Sequence, residues 1–367
     1  MQVDETARIY GRIAGLDLQI DGYRTERHEL DVSSGFRRVT TEIVLVGGGL
    51  EGRGEDVTYD AGDHDDYPAT LPLIGGWTLD GFSQRLGGLD LFPARPPRQE
   101  FFRPYRRWAF ESAALDLALR QRKLSLGEAL ARPFRPVRFV LSTRLDIKPW
   151  LAVDPRLEFK LDPTPQWDGD LVREIAASGR VRVLDFKAFY EGSPVDNPPD
   201  PEQYRLVSEA FPDAVLEDPA LQGPAREALR GQEERFSFDA PLHSWQDVED
   251  ITGRVREACG PECPRFELRH LNIKPSRFGS LRALLDCVER AQAAGMVLYG
   301  GGQFELGIGR DQIQALASLL YAGGPNDVAP REYHGEAHAD VPPSPLAPLP
   351  EQDPGFGFCF DTKADRA

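Results

Sequence analysis

The sequence is short of several things that would have assigned its class at once. It has four cysteines in 367 residues, Cys259, Cys263, Cys287 and Cys359, too few for a disulfide framework at this length. Cys259 and Cys263 flank Gly-Pro-Glu at a spacing that suits a metal, but no Cys or His set completes a four-ligand site. Reduced thiols and a cytoplasmic location are therefore expected. No apolar run reaches the ~18 residues of a membrane span, and the opening MQVDETARIYGR lacks a basic-then-apolar targeting pattern. Positive charge is scarce as well: 43 Lys and Arg stand against 59 Asp and Glu, a net charge of −16. Phosphate backbones are bound by clustered Lys and Arg, so no nucleic-acid partner is expected. Apolar residues are not scarce. At 41% they are enough for a large core, and the length suits a barrel plus a smaller domain.

The first 130 residues read as an α+β module. Residues 9–20 and 38–46 are β-rich, and GGGLEGRGED (47–56) reads as a turn-rich connection. Residues 79–86 suit a short helix, and FESAALDLALRQ (110–121) is Ala-rich with apolar residues at helical spacing. Beyond residue 130, short apolar strands alternate with helices. The strands are VRFVLSTRL (137–145), LEFKL (157–161), VRVLDFK (181–187), AVLEDP (214–219), RFSFDAP (235–241), LRHLNIKP (268–275) and MVLYGGG (296–302). Helical segments are expected near 168–177, 202–211, 245–258, 280–294 and 311–320. Repeated β-α units give a parallel sheet, and this many in about 200 residues predicts a closed (β/α) barrel, an α/β fold, over residues 131–340. The tail from 341 to 367, which includes PPSPLAPLPEQDPGFGF, has the composition of an extended Pro-rich strap.

The ends of the third, fourth and fifth barrel strands carry Asp185, Glu217 and Asp239. In a barrel such ends converge on the catalytic face. Any one of these acids, taken alone, is as easily a helix cap or, for Asp185, a partner of Lys187. Three converging carboxylates repel one another unless a divalent cation holds them, and Mg²⁺ prefers oxygen ligands and keeps positions open for substrate. They are read as metal ligands.

The ordered motifs FKLD, LDFK, LEDP, FDAP, NIKP and LYGGGQFELGIG, with RRWAFESAALDLALRQRKLSLGEAL (106–130) as the lead into the barrel, resemble the enolase superfamily. The likeness is to its muconate-lactonising and o-succinylbenzoate-synthase-like branch and covers nearly the whole chain. The resemblance implies a modified (β/α)8 barrel with an N-terminal capping domain (1–130). It implies a Mg²⁺ ion bound by Asp185, Glu217 and Asp239 and a small carboxylate substrate. The reaction it implies is a lyase or isomerase reaction that begins with loss of the α-proton to a metal-stabilised enediolate, in a homo-oligomer. Lys274 matches the sixth-strand acid/base lysine and Lys160 the supporting lysine of the second strand. Gly301, Gly302, Gln303 and Glu305 match the loop and the acid on the substrate side.

Two departures bear on mechanism. The two-lysine branch has Lys-x-Lys on strand two, whereas this chain has Lys160-Leu161-Asp162. Strand alternation points Lys160 and Asp162 the same way, and a carboxylate beside a cation is a weak base that pairs more readily with Lys160 or Lys187. Lys187 stands where the family more often has Asn, and it is a candidate for the missing ammonium. With Lys274 the clearest base, β-elimination or cycloisomerisation is expected. The alternatives are an acid-sugar dehydratase with an atypical base set that includes His243, and a non-catalytic metal-binding barrel. In the capping domain, residues 47–54 and GEDVTYD (54–60) are expected to close over the site, with Asp56 and Tyr59 as contacts.

Overall fold

The computed structural model describes residues 9–31, 37–191, 197–260 and 266–362. The chain begins with a short helix, Gly11–Ala14, inside the stretch expected to be β-rich. Strand β1 (Asp17–Ile20) pairs antiparallel with β5 (Gly75–Thr78). Strands β2 (Gly22–Asp31), β3 (Arg37–Gly47) and β4 (Leu50–Asp56) form an antiparallel sheet in that order. The sequence concealed two of these strands, each for its own reason. β2, GYRTERHELD, is a mostly solvated edge strand whose charges suit an edge. β4 is rich in glycine because the helix Arg103–Arg122 lies directly on it. A Cβ on Gly52 would come 2.4 Å from the Ala113 carbonyl oxygen, and one on Gly54 would come 2.1 Å from that of Ala109. The glycines at 52 and 54 share one face of the strand and let helix and sheet close up.

The same helix shows which end of the cap meets the barrel. Its Tyr105 hydroxyl accepts from Gln303 Nε2 (3.1 Å), whereas Gln121 near its far end donates to the Gly47 carbonyl (3.1 Å). Those positions are about 24 Å apart along the axis at 1.5 Å per residue. Residues 47–49 therefore turn at the far end of the cap and do not close over the site, which corrects the expected lid. Asp56 is no substrate contact either. Fully buried, it accepts from Arg106 Nε (2.9 Å) and from Thr58, and Arg106 is sandwiched between Tyr67 (4.1 Å) and Phe92 (3.7 Å).

The barrel strands are β6 (Leu141–Thr143), β7 (Phe159–Leu161), β8 (Val181–Asp185), β9 (Val215–Glu217), β10 (Phe236–Ser237), β11 (His270–Ile273) and β12 (Val297–Gly300). β6 to β10 form one parallel sheet and β11–β12 another. Hydrogen bonds join the two into a ring. Asn272 N donates to Phe238 O (3.2 Å), Asp327 N to Gly300 O (2.7 Å), and Val140 N to Asn326 O (2.8 Å). Residues 326–327 thus act as the eighth strand, reduced to two bridges, with Gly301 on one side and Phe139 on the other. The helices at Gly169–Ala177, Pro201–Ala210, Trp245–Cys259, Leu281–Ala293 and Gly309–Leu316 lie close to their expected positions.

Cap and barrel interlock through buried polar groups. Arg38 donates to the carbonyls of Gln303 (2.9 Å) and Phe304 (3.2 Å), and Glu55 accepts from the amides of Leu306, Gly307 and Gly309 at 2.7–3.0 Å. The Pro-rich tail adds a second tie. It bridges to Val137 at Leu346 and to Ser125 at Gly355. It then buries Phe356 edge-on against Trp108 with ring centroids 6.4 Å apart. Asp116 receives Phe356 N (2.7 Å) on one oxygen and Arg53 N (2.9 Å) on the other.

The expectation of four reduced thiols does not hold. Cys259, the last residue of its helix, is disulfide-bonded, while Cys287 and Cys359 are free; Cys263 lies outside the described residues. Among the described residues no helix is long and apolar enough to cross a membrane.

Two outcomes follow for stability. Phe356→Ala removes a fully buried ring and should cost about 3–5 kcal/mol in denaturant unfolding; a midpoint equal to wild type would mean that the tail is not part of the folded unit. Burial opposes ionisation of Asp56, but Arg106 outweighs it and brings the carboxyl down to about 2. A depressed carboxyl stabilises fully above its unfolded value near 3.8 and loses that stabilisation as pH falls toward 2. Roughly 2 kcal/mol should vanish over that window, and Asp56→Asn should flatten that arm of a Tm-against-pH profile.

Candidate active site

The ladder between β8 and β9 places Asp185 directly beside Glu217. Both side chains are fully buried, as are Asp218 and Asp239, which lies two residues past the end of β10. Four buried carboxylates at the C-terminal ends of three adjacent strands need counter-charge. Lys160, on β7, has its ammonium 3.1 Å from Asp185 Oδ2 and 3.7 Å from Asp327 Oδ2, and it pairs with Glu217 Oε1. Lys187 pairs with Asp185, its backbone turned back by a left-handed φ of 58°, and sits 3.7 Å from Asp162. Lys274, immediately after β11, pairs with Asp239, and Arg277 stands 3.4 Å from the other Asp239 oxygen.

Polar neighbours occupy the remaining lone pairs. Asn272 Nδ2 donates to Glu217 Oε1 (3.0 Å), and the Tyr299 hydroxyl donates to Glu217 Oε2 (2.6 Å). Tyr190 donates to Asp239 Oδ1 (3.1 Å) and accepts from Arg277 (2.9 Å). Burial pushes Glu217 up to about 7 despite Lys160. Burial acts the same way on Asp185 and Asp239, but there the cations win. Lys160 and Lys187 hold Asp185 well below the carboxylate range, and Lys274 and Arg277 do so for Asp239. Burial disfavours the Lys160 and Lys274 ammoniums, yet Asp185, Glu217 and Asp327 raise Lys160, and Asp239 raises Lys274, above the ordinary lysine value.

The structure thus gathers Lys160, Lys187, Lys274, Asp185, Glu217 and Asp239 into one cluster. Asp162 stands at its edge, bound to Arg144 Nε (2.7 Å). Gly301 packs against the lysine itself: a Cβ there would lie 2.8 Å from Lys274 Cε. Gln303 and Glu305 make their contacts elsewhere. Gln303 reaches Tyr105 in the cap, and Glu305 accepts from Gln303 N (2.7 Å) and pairs with Arg310 (3.1 Å). The acid that the closing strand presents to the cluster is Asp327. His243 has its Nδ1 against the Arg277 carbonyl (3.1 Å) and takes a loop role.

Sequence reading passed over Asp218, Asn272, Arg277, Tyr190, Tyr299 and Asp327. Asn272 was the most accessible of these, since strand alternation puts it on the same side as Lys274. Asp327 left no strand signal at all.

A divalent cation fits these residues. Asp185, Glu217 and Asp218 each offer a carboxylate oxygen, all within 4.8 Å of one another, and an all-oxygen set suits Mg²⁺. Burial and the neighbouring Asp239, Asp185 and Glu217 push the Asp218 carboxyl well above the usual carboxylate range, a mutual repulsion that a divalent cation would relieve.

Comparison with known proteins agrees with this architecture. The chain is 27% identical to the N-succinylamino acid racemase of Thermus thermophilus over 331 residues, 83% of this chain and 81% of that relative. Solved structures of similar fold include enolase superfamily members. Muconate cycloisomerase from Pseudomonas fluorescens aligns with a TM-score of 0.64 at 17% identity, over 94% of this chain and 97% of that one. Dipeptide epimerase from Methylococcus capsulatus, solved with a Mg ion, aligns with a TM-score of 0.63 at 19% identity, over 94% and 100%. Family models described as the N-terminal and C-terminal domains of DUF8230, a domain of unknown function, match residues 11–129 and 133–335. The chain belongs to the DUF8230 family and carries the capped-barrel fold of the enolase superfamily.

Proposed function

We propose that the protein is a Mg²⁺-dependent enzyme that removes the proton α to the carboxylate of a small substrate, with Lys274 as the base. The observation that carries this reading is the cluster itself, in which buried lysines from different strands meet buried carboxylates at the C-terminal end of the barrel. β7 and β11 are the second and sixth strands of an eight-membered ring, so Lys160 and Lys274 enter from opposite sides. Their surroundings differ. Lys160 is held by Asp185, Glu217 and Asp327 and keeps its charge, so it serves as a fixed ammonium. Lys274 has Asp239 as its one acidic partner among the described residues, and it can take a proton once that pair is released. When bound at these carboxylates, a divalent cation supplies the competing positive charge and draws electron density from the substrate carboxylate. Asp185 and Glu217 would hold it, with the fifth-strand Asp239 as the third ligand in preference to Asp218, whose two oxygens already accept backbone amides.

Isomerisation is favoured over β-elimination, because the relatives named above are a racemase, an epimerase and a cycloisomerase. A dehydratase that uses His243 loses support from the loop contact of that ring. Lys187 supplies the ammonium that Asp162 cannot, entering from β8 instead of β7 and reaching the same Asp185 oxygen as Lys160.

Mn²⁺ titration followed by electron paramagnetic resonance should show one tight site that Mg²⁺ competes for and Glu217→Gln abolishes. A folded wild-type protein without such a site would overturn the proposal. With metal present, a screen of N-acylamino acids, dipeptides and dicarboxylates in D₂O should find α-proton exchange that Lys274→Ala reduces at least ~100-fold. Tight metal binding without exchange on any carboxylate would leave the non-catalytic barrel. Lys187→Ala should lower the exchange rate by ~10-fold or more; an unchanged rate would remove Lys187 from the machinery.

A further inference from the structure

Asp218 is fully buried and has a left-handed φ of 46°. A buried carboxylate in a strained backbone position is costly and persists where surrounding structure demands it. Its two oxygens show what they are for. Oδ1 accepts from the backbone N–H of Asp239 (3.0 Å), and Oδ2 accepts from that of Ala240 (3.2 Å). No helix starts at these amides, since the next one is capped by Ser244, so this is not a helix cap. The backbone of Asp218 is itself anchored on both sides. Its N–H donates to Ser237 O (2.9 Å), and its carbonyl accepts from Ala188 N (3.1 Å).

The need for such a support lies in the length of β10. That strand has two residues, Phe236–Ser237, and its ladder to β9 ends at Ser237. Asp239 therefore lies two residues beyond the last position laddered to β9, with the preceding Phe238 held to the next strand by one bond, from Asn272 N to its carbonyl (3.2 Å). We infer that Asp218 is the positioning residue for Asp239, fixing through two backbone amides the direction in which the fifth-strand carboxylate enters the cluster. Its consequence for metal binding rests on the function proposed above; the positioning itself does not.

The test uses Asp218→Asn and Asp218→Ala in the full chain. The Asn variant is isosteric and keeps one acceptor oxygen, so it keeps the fold available if Ala does not. Amide hydrogen exchange on the metal-free proteins should show protection lost at Asp239 and Ala240 in both variants, more in Ala than in Asn, while amides of the helix Leu281–Ala293 stay as in wild type. Mn²⁺ affinity should fall by about 10- to 100-fold, the usual cost of removing a group that orients a ligand, with Asn the milder. Unchanged protection at both amides together with a lost Mn²⁺ site would make Asp218 a ligand and overturn the inference, as would unchanged protection with unchanged affinity. If wild-type protein binds no Mn²⁺, the metal reading fails, and the exchange result alone decides the positioning role.

Discussion

Four carboxylates buried side by side are the constraint around which this molecule is organised. Asp185, Glu217, Asp218 and Asp239 are all closed to solvent, and a charge in such a place is tolerated only with a partner. Ammonium groups arrive from β7, from the extension of β8 and from the end of β11, and Arg277 follows Lys274 into the same space. The barrel makes this possible because strand ends distant in sequence meet at one rim. Without the acids the lysines would have no reason to be buried, and without the lysines the acids would shift toward their neutral forms.

The cap takes part in holding the rim. Its Arg38 and Glu55 bind the backbone of the loop after β12, and Gly301 at the root of that loop presses on the stem of Lys274. The tail ties the long cap helix, at Trp108, to Val137 in the segment that leads into β6. Domain docking and the setting of the base are thus parts of one packing arrangement. The Gly47–Gly49 turn has no part in it, because a twenty-residue helix separates the two ends of the cap.

Much of the barrel was legible because each β-α unit is local. Apolar strands of three to five residues and amphipathic helices announce themselves by period, and Asp185, Glu217 and Lys274 were found because each ends such a strand. Glu305 was misplaced for a related reason. A short loop offers several directions to a side chain, and Arg310 took this one. β2 was hidden by its polarity, and β4 by glycines that serve the helix lying on it.

The sequence by itself determined the alternation of strands and helices, the order of the motifs, and therefore the fold and the strand-end acids and lysines of its rim. Tertiary structure alone decided which acid pairs with which cation, that Asp327 completes the ring, and that Asp218 supports Asp239. Those outcomes depend on contacts between segments tens to hundreds of residues apart, and no local pattern encodes the distance between two strand ends that meet only when the ring closes.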